Sequence, residues 1–290
     1  MNDLQKQTYA IITPAKNEEE NVEALVKTIA LQKMTPHLWV FVNDGSVDNT
    51  VEKFTVALEQ YKVELADTTV TILNYKDFKT GYALGQKYSR VIKYGMNHVD
   101  QFLSELDFVG ILDCDIQLPS DYYEKIIQKF QANPKLGIAS AGSIIEYDEE
   151  ESIKKKINKT HTPGGFRVWN AECLRQTGYT PTVSQDAVSE ARAIMMGWKV
   201  SSFADIELSM RKMGAKFGYE YYGKSAYIRH VPFLYVLLGT LNLMRQNRMK
   251  DGKSYYRGYR SARKEKVSRI EDAVAIKFFR RRLYYRLLGK

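Results

Sequence analysis

A chain of 290 residues can bury a large core without disulfide or metal staples, and it fits one large domain or one with an appendage. Its 44% hydrophobic and 27% charged residues are ordinary for a globular protein, and the two cysteines, Cys114 and Cys173, exclude a disulfide framework and zinc-type spacing. The formal charge of +9 is uneven: Arg245 to Lys290 carries 16 Lys+Arg against 4 Asp+Glu, a net of +12, so the remainder sums to −3.

In chain order, the start MNDLQKQTYAIITPAKNEEE lacks the long apolar run of a signal peptide, and unpaired cysteines suit a reducing cytosol. Tyr9 to Thr13 reads as a buried strand, and Glu19 to Gln32 as a helix with apolar residues at Val22, Leu25, Val26 and Ile29. Leu38 to Val42 is a second strand ending in the turn-rich NDGSVDNT, followed by a helix from Thr50 to about Tyr61. Thr69 to Asn74 is a third strand, Gly81 to Tyr94 a helix, and Phe108 to Leu112 a fourth strand ending in DCD. Glu146 to Thr162 is charged and lacks a core pattern, which predicts a mobile surface loop. A second unit runs from Gly164 to about Gly214, with a helix near Gln185–Met196 and a strand near Lys199–Phe203. Val231 to Met244 is the most apolar window, but at about 14 residues, interrupted by Pro232, Gly239 and Asn242, it is too short to cross a bilayer. A packed or interfacial helix is expected there.

Continuous apolar strands alternating with helices predict a mostly parallel, Rossmann-like sheet covered on both faces. In such sheets ligands bind beyond the carboxyl ends of the strands. The polar clusters Pro14–Glu20, Asn43–Thr50 and Asp113–Asp115 all follow strands, so they should converge on one crevice.

Asp113 and Asp115, two positions apart past a strand end, can both turn toward one cation, and hard oxygen ligands favour Mg²⁺ or Mn²⁺ bridging a diphosphate. Alone, the pair reads better as a solvated turn. In Asn43–Thr50, Asp44 can accept a base N–H and Gly45 permits close backbone approach, while Asp48 and Asn49 read as helix caps. Asn17 in Pro14–Glu19 is open to the same capping reading.

Together and in this order, the three clusters resemble the inverting family 2 glycosyltransferases of the A-type fold, whose strands end in P-x-x-N-E-E, D-D-G-S-x-D-x-T and the metal D-x-D. The resemblance covers roughly residues 8 to 215 and implies that fold, with a basic helical C-terminal extension. It divides the chain into a glycosyltransferase domain over 1–228, with a nucleotide part to about 118 and an acceptor part over 119–228, and a basic aromatic region over 229–290. It implies that Pro14 and Ala15 pack beside the base, Glu18 binds the ribose, Asp44 binds the base edge and Lys79 lies near the nucleotide. Asn17, Ser46 and Cys114 fall in the same nucleotide-sugar set. Asp113 would face the ribose or the metal, and Asp115 would hold the metal directly. Asn43 stands where the family usually has Asp or Val, which leaves the nucleotide preference open.

On the acceptor side, Asp186 stands where the family's base deprotonates the acceptor hydroxyl, with Gln185 in place of a Glu. A helix N-terminus would keep that carboxylate ionised, and a plain helix cap is the rival reading. Gly164, Gly165 and Phe166, with Trp169, resemble the stretch that admits the donor sugar and lines the acceptor cleft, although Trp169 reads equally as core. A third metal ligand, a histidine in relatives, is replaced by Ser209, which leaves His230 as the candidate.

The resemblance implies a divalent cation cofactor, a UDP-, GDP- or dTDP-linked sugar donor, and a saccharide or lipid-linked acceptor in glycan, glycolipid or cell-surface polysaccharide synthesis. A polyprenyl-phosphate sugar transferase is the alternative enzyme. A basic membrane- or nucleic-acid-binding module is the non-enzyme alternative, though no nucleic-acid-binding motif is present. In the tail, Ile276, Phe279, Leu283 and Leu287 fall at helical spacing with basic flanks. This fits an in-plane helix on the anionic inner face of a membrane and equally a helix packed on the domain. A cytoplasmic, peripheral location is expected.

Overall fold

The computed structural model describes residues 7–76, 85–147, 151–211, 218–281 and 284. Strands β1 (Tyr9–Ala15), β2 (Leu38–Asn43), β3 (Thr69–Asn74) and β4 (Phe108–Ile111) lie side by side in the order β3-β2-β1-β4, all parallel. Between them run helices α1 (Val22–Ala30), α2 (Thr50–Gln60) and α3 (Gln86–Val99). The chain continues through β5 (Ile116–Gln117), α4 (Tyr122–Ala132), β6 (Leu136–Tyr147), β7 (Ser152–Lys156), β8 (Val168–Asn170), α5 (Ala171–Thr177), α6 (Gln185–Met195) and β9 (Lys199–Arg211). These strands extend the sheet as β4-β8-β6-β9-β5, with β7 paired to β6. The β4–β8, β8–β6, β9–β5 and β6–β7 pairs are antiparallel and β6–β9 is parallel. Helices α7 (Tyr219–Ile228), α8 (Phe233–Arg245), α9 (Met249–Lys264) and α10 (Ala273–Arg280) complete the described chain.

Alternation of side chains along β1 and β2 divides the apolar interior into two layers. Tyr9, Ile11, Trp39 and Phe41 face α1, α2 and α4 through Leu25, Ile29, Phe54 and Ile126. Ala10, Ile12, Val40 and Val42 face α3 and α5 through Val91, Met96, Val99 and Leu174. A third cluster joins Val188 and Ala191 of α6 to Val236, Tyr259, Phe278 and Phe279 of the C-terminal helices.

Two expectations are corrected. The stretch Glu146–Thr162 is not merely a loop: Ser152–Lys156 pairs backbone to backbone with β6, although all five residues are exposed. Main-chain hydrogen bonding to a sheet edge needs no apolar side chain, so hydropathy carries no trace of it. The third helix, described over Gln86–Val99 after Gly85 in the left-handed region at φ 75°, runs past Tyr94 to Val99, and the expected start at Gly81 lies outside the described residues.

Candidate active site

Strand register sets the site. Ala15 lies beside Asn43 and Ile12 beside Ile111, so β1, β2 and β4 end together. Backbone bonds from Asp44 N to Ala15 O (2.8 Å) and from Leu112 N to Ile12 O (3.0 Å) hold the departing loops at that end. A cavity of about 270 Å³ opens there, lined by Pro14, Ala15, Lys16, Glu18, Asp44, Tyr88 and Asp113–Asp115. A second cavity of about 390 Å³ is lined by Asp113, His161, Gly164, Gly165, Asp186 and Arg229, among others. Asp113 belongs to both.

The first cavity crowds three carboxylates together. Burial pushes the Asp113 carboxyl up to about 7, opposed by the Tyr88 hydroxyl, which donates to Oδ1 at 2.6 Å, and reinforced by Asp115 and Glu18. Burial also raises Glu18, against a hydrogen bond from Asn21 Nδ2 at 2.6 Å. Asp115 is raised by burial and eased by Arg211, whose Nη2 lies 3.9 Å from both Asp115 and Glu18. Across the cavity Asp44 Oδ2 meets Lys87 at 2.6 Å and Lys16 at 3.9 Å. Lys87 also lowers the Lys16 ammonium, against the pull of Asp44.

The second cavity depends on Arg167, which is fully buried. Its guanidinium donates to the carbonyls of Asp186 (3.1 Å), Pro163 (3.3 Å) and Thr162, and lies 3.6 Å from Glu190. One planar fork thereby joins the Gly164–Gly165 turn to the start of α6. Glu190 also accepts from Thr162 N at 2.7 Å and meets His161 Nδ1 at 2.9 Å. Burial opposes the His161 imidazolium, but the Glu190 hydrogen bond and charge hold its pKa above the ordinary value. On the other side Asp113 N donates to Gly165 O at 2.8 Å. A Cβ on Gly165 would stand 2.2 Å from Asp113 Oδ2, so any larger residue there would push that carboxylate aside.

No family model matches the chain. It is 24% identical over 221 residues to a probable glucomannan 4-beta-mannosyltransferase 4 of Oryza sativa subsp. japonica, a match covering 67% of this chain and 38% of that protein. The chain thus spans well under half the length of this curated relative. Among solved structures, S. aureus TarS in complex with UDP-GlcNAc superposes with a TM-score of 0.52 at 14% identity, covering 76% of this chain and 65% of that one. The mannosyltransferase PcManGT of Pyrobaculum calidifontis, in complex with GDP-Man and Mn²⁺, superposes with a TM-score of 0.52 at 14% identity, covering 97% and 81%. The chain has the A-type glycosyltransferase fold.

Within this glycosyltransferase fold, Pro14, Ala15, Glu18, Asp44, Cys114 and both aspartates of the D-x-D line the first cavity, and Gly164, Gly165, Phe166 and Asp186 line the second. Other expected site residues are placed differently. Asn17 and Ser46 latch two loops together: Asn17 N donates to Ser46 Oγ and Val47 N to Asn17 Oδ1, each at 3.0 Å. Neither residue lines the first cavity. Trp169 is core, fully buried beneath Arg167 because β8 points it away from the cleft. Gln185 turns into α6, where Nε2 donates to Ser189 Oγ at 2.7 Å. His230 lines neither cavity, because its Nε2 is engaged 3.0 Å from the Ile270 carbonyl. Burial lowers its imidazole. Lys79 lies outside the described residues.

Sequence reasoning misses Tyr88, Lys87, Arg211 and Arg167 as site residues. Tyr88 and Lys87 sit in the first turn of α3, where helical spacing identifies a buried face but not what the turn touches. Arg211 ends β9, almost a hundred residues from Asp115, and although it falls in the stretch around Ser209 compared for a third ligand, its place beside Asp115 comes from the pairing of β5 with β9.

Proposed function

We propose that the chain is an inverting family 2 glycosyltransferase that moves a sugar from a nucleoside-diphosphate donor to an acceptor hydroxyl in glycan or polysaccharide synthesis. The observation that carries this reading is Asp113 shared by two cavities, the second of which Asp186 also lines. The donor's nucleoside would lie in the first cavity, with the base edge at Asp44 and the ribose at Glu18. The sugar would pass beside Gly164, where a Cβ would meet only Asp186 at 3.9 Å and the absent side chain leaves room. The acceptor hydroxyl would approach Asp186, which accepts its proton as the oxygen attacks the anomeric carbon and the bond to the diphosphate breaks.

The donor set fits a divalent cation. Asp113 and Asp115 offer hard oxygens; burial raises the carboxyls of Glu18, Asp113 and Asp115, and the charge of Asp115 adds to Glu18 and Asp113, so a cation would offset the cost of ionising them. Among the described residues no three His, Cys, Asp or Glu side chains converge as a metal cage. Two carboxylates from the chain, completed by diphosphate oxygens and water, suit Mg²⁺ or Mn²⁺. When bound, such an ion stabilises the charge of the departing nucleoside diphosphate. The Mn²⁺ and GDP-Man of PcManGT, and the UDP-GlcNAc of TarS, support the same ligand classes here.

Among the described residues no helix is long and apolar enough to cross a membrane. The net charge of +12 from Arg245 to Lys290 supports a peripheral place on the inner face of a membrane, where a lipid-linked acceptor would be within reach.

The test is Asp186→Asn. Transfer should fall by about 10²–10⁴-fold while calorimetric binding of UDP or GDP with Mn²⁺ stays unchanged. Retained transfer would remove Asp186 as the base, and absence of metal-dependent nucleotide binding in the unaltered chain would remove the whole reading.

A further inference from the structure

Over Ala273–Arg280, the tail helix that the sequence offers as a membrane contact is packed inward, while Leu283 and Leu287 lie outside the described residues. In α10, Ala275, Phe278 and Phe279 are buried, and the helix packs on α6. Helix α8 presents the opposite picture. Of its 13 residues only Val236 and Thr240 are buried, and its main neighbour is α9. Leu234, Leu238 and Leu241 stand 68%, 49% and 61% exposed, at spacings of four and three that set them in one line along the helix. Three leucines in a row facing water, on an outermost helix, call for a covering.

Charge identifies the covering. From Arg245 to Lys264 the chain carries eight Lys+Arg and one acidic residue, Asp251. Asp251 pairs with Arg248 at 2.9 Å, and Glu220 of α7 pairs with Arg257 at 3.0 Å. Lys253, Arg260, Arg263 and Lys264 are exposed on α9. A groove of about 680 Å³ beside the N-terminal end of α8 is lined by Phe233, Tyr256, Arg257, Arg260, Arg263 and Lys264. Arg245 and Arg248 stand at the other end of the leucine row. Cations therefore flank the apolar line at both ends.

We infer that the α8–α9 hairpin is a membrane-docking element that lays the leucine row of α8 into an anionic lipid surface and seats lipid phosphates against the cations of α9. A 13-residue helix is about 20 Å long, enough to lie in the interface and too short to span it. A second copy of this chain would bring the same cationic face against itself. A nucleic acid would leave the leucines in water. The packing beneath suits a platform: Gly223 and Gly258 let α7 and α9 touch backbone to backbone, since a Cβ on either would overlap a carbonyl of the other helix. Docking then orients the chain that carries α6 and Asp186, through the cluster that joins α6 to α8, α9 and α10.

This inference rests on the peripheral placement proposed above and refines it. The test is sedimentation of the full chain with phosphatidylcholine vesicles and with vesicles of equal phosphatidylcholine and phosphatidylglycerol. The unaltered chain should bind the anionic vesicles at least about tenfold more tightly, and less so as salt rises. Leu234→Ser/Leu238→Ser/Leu241→Ser, which leaves the charge intact, should lower that binding at least about tenfold with unchanged Tm and nucleotide binding. Arg260→Gln/Arg263→Gln should reduce the preference for phosphatidylglycerol. If the unaltered chain ignores anionic vesicles, the placement and the docking both fail. If it binds and the triple variant binds equally well, the placement stands and the role of α8 falls. If light scattering shows a dimer that the triple variant abolishes, a second copy covers α8 and the lipid assignment is overturned. Metal-dependent nucleotide binding, measured without lipid, reports on the transferase reading separately.

Discussion

The cavity behind Pro14 takes its walls from the ends of three adjacent parallel strands, whereas the cavity behind Gly164 takes its walls from segments far apart in the chain. In the first, backbone register places the carboxylates, and each loop is tied to a strand by its own main-chain bonds. In the second, one buried guanidinium joins residues 162, 163, 186 and 190. A site made by register tolerates loss of a side chain that is not itself a ligand. A site gathered around one charge does not.

The largest expected effect follows from removing that charge. Arg167→Ala should destabilise the fold by about 3–5 kcal/mol, because the carbonyls of Thr162, Pro163 and Asp186 lose their shared donor and Glu190 keeps only His161 as an ionic partner. Urea unfolding measures the loss. Transfer should fall far more than nucleotide affinity, and an equal fall in both would show that the two cavities are not built independently.

Gly165→Ala acts at the seam, where a Cβ would stand 2.2 Å from Asp113 Oδ2. Displacing that carboxylate should lower Mn²⁺-dependent nucleotide affinity and transfer together, each by roughly 10–100-fold. Titration calorimetry beside a transfer assay would show it. A change in transfer alone would mean that Asp113 serves only the second cavity.

The pH dependence of the cation-free protein sharpens the electrostatic side of the contrast. The folded Asp113 carboxyl is raised to about 7, so stability should decline as pH rises from the ordinary carboxylate range to about 7 and level off above it. Asp113→Asn should flatten that part of the curve and raise the Tm at pH above about 7. Thermal melts in a chelator read both. A curve unchanged by the substitution would locate the charge strain elsewhere. Metal-dependent nucleotide binding should run the other way, strengthening as pH rises to about 7 because the cation competes with the proton.

The smallest effect is expected at Ser46→Ala. It removes the acceptor for Asn17 N and should cost about 0.5–1.5 kcal/mol, with nucleotide affinity changed by less than about twofold. A large loss of affinity would return Ser46 to the ligand-contacting set.

The same contrast explains what was legible. The strand ends at Pro14, Asn43 and Asp113 could be read because each motif is contiguous and directly follows an apolar run, and parallel sheets bring such ends together. Asp186, which lines the second cavity, could be singled out only through the family resemblance, since a residue that opens a helix reads equally as a cap. Tyr88 beside Asp113, Lys87 beside Asp44 and Arg211 beside Asp115 and Glu18 could not, since each contact joins positions that no local period connects. Trp169 and Gln185 show the reverse error: they sit next to site residues in the chain but turn away from the cleft.

The tail shows the division most clearly. Its amphipathic spacing and its charge were present in the amino-acid order alone, and so was the need for each helix to bury a face. Which apolar face would be buried was not, because α8 and α10 both carry one and periodicity ranks neither. The tertiary structure decided it by packing α10 against α6 and leaving the leucines of α8 outside. Local order specifies strands, helices and the motifs at their ends. Partner choice among helices, and the convergence of distant cations on a carboxylate, arise only when the whole chain competes for one core.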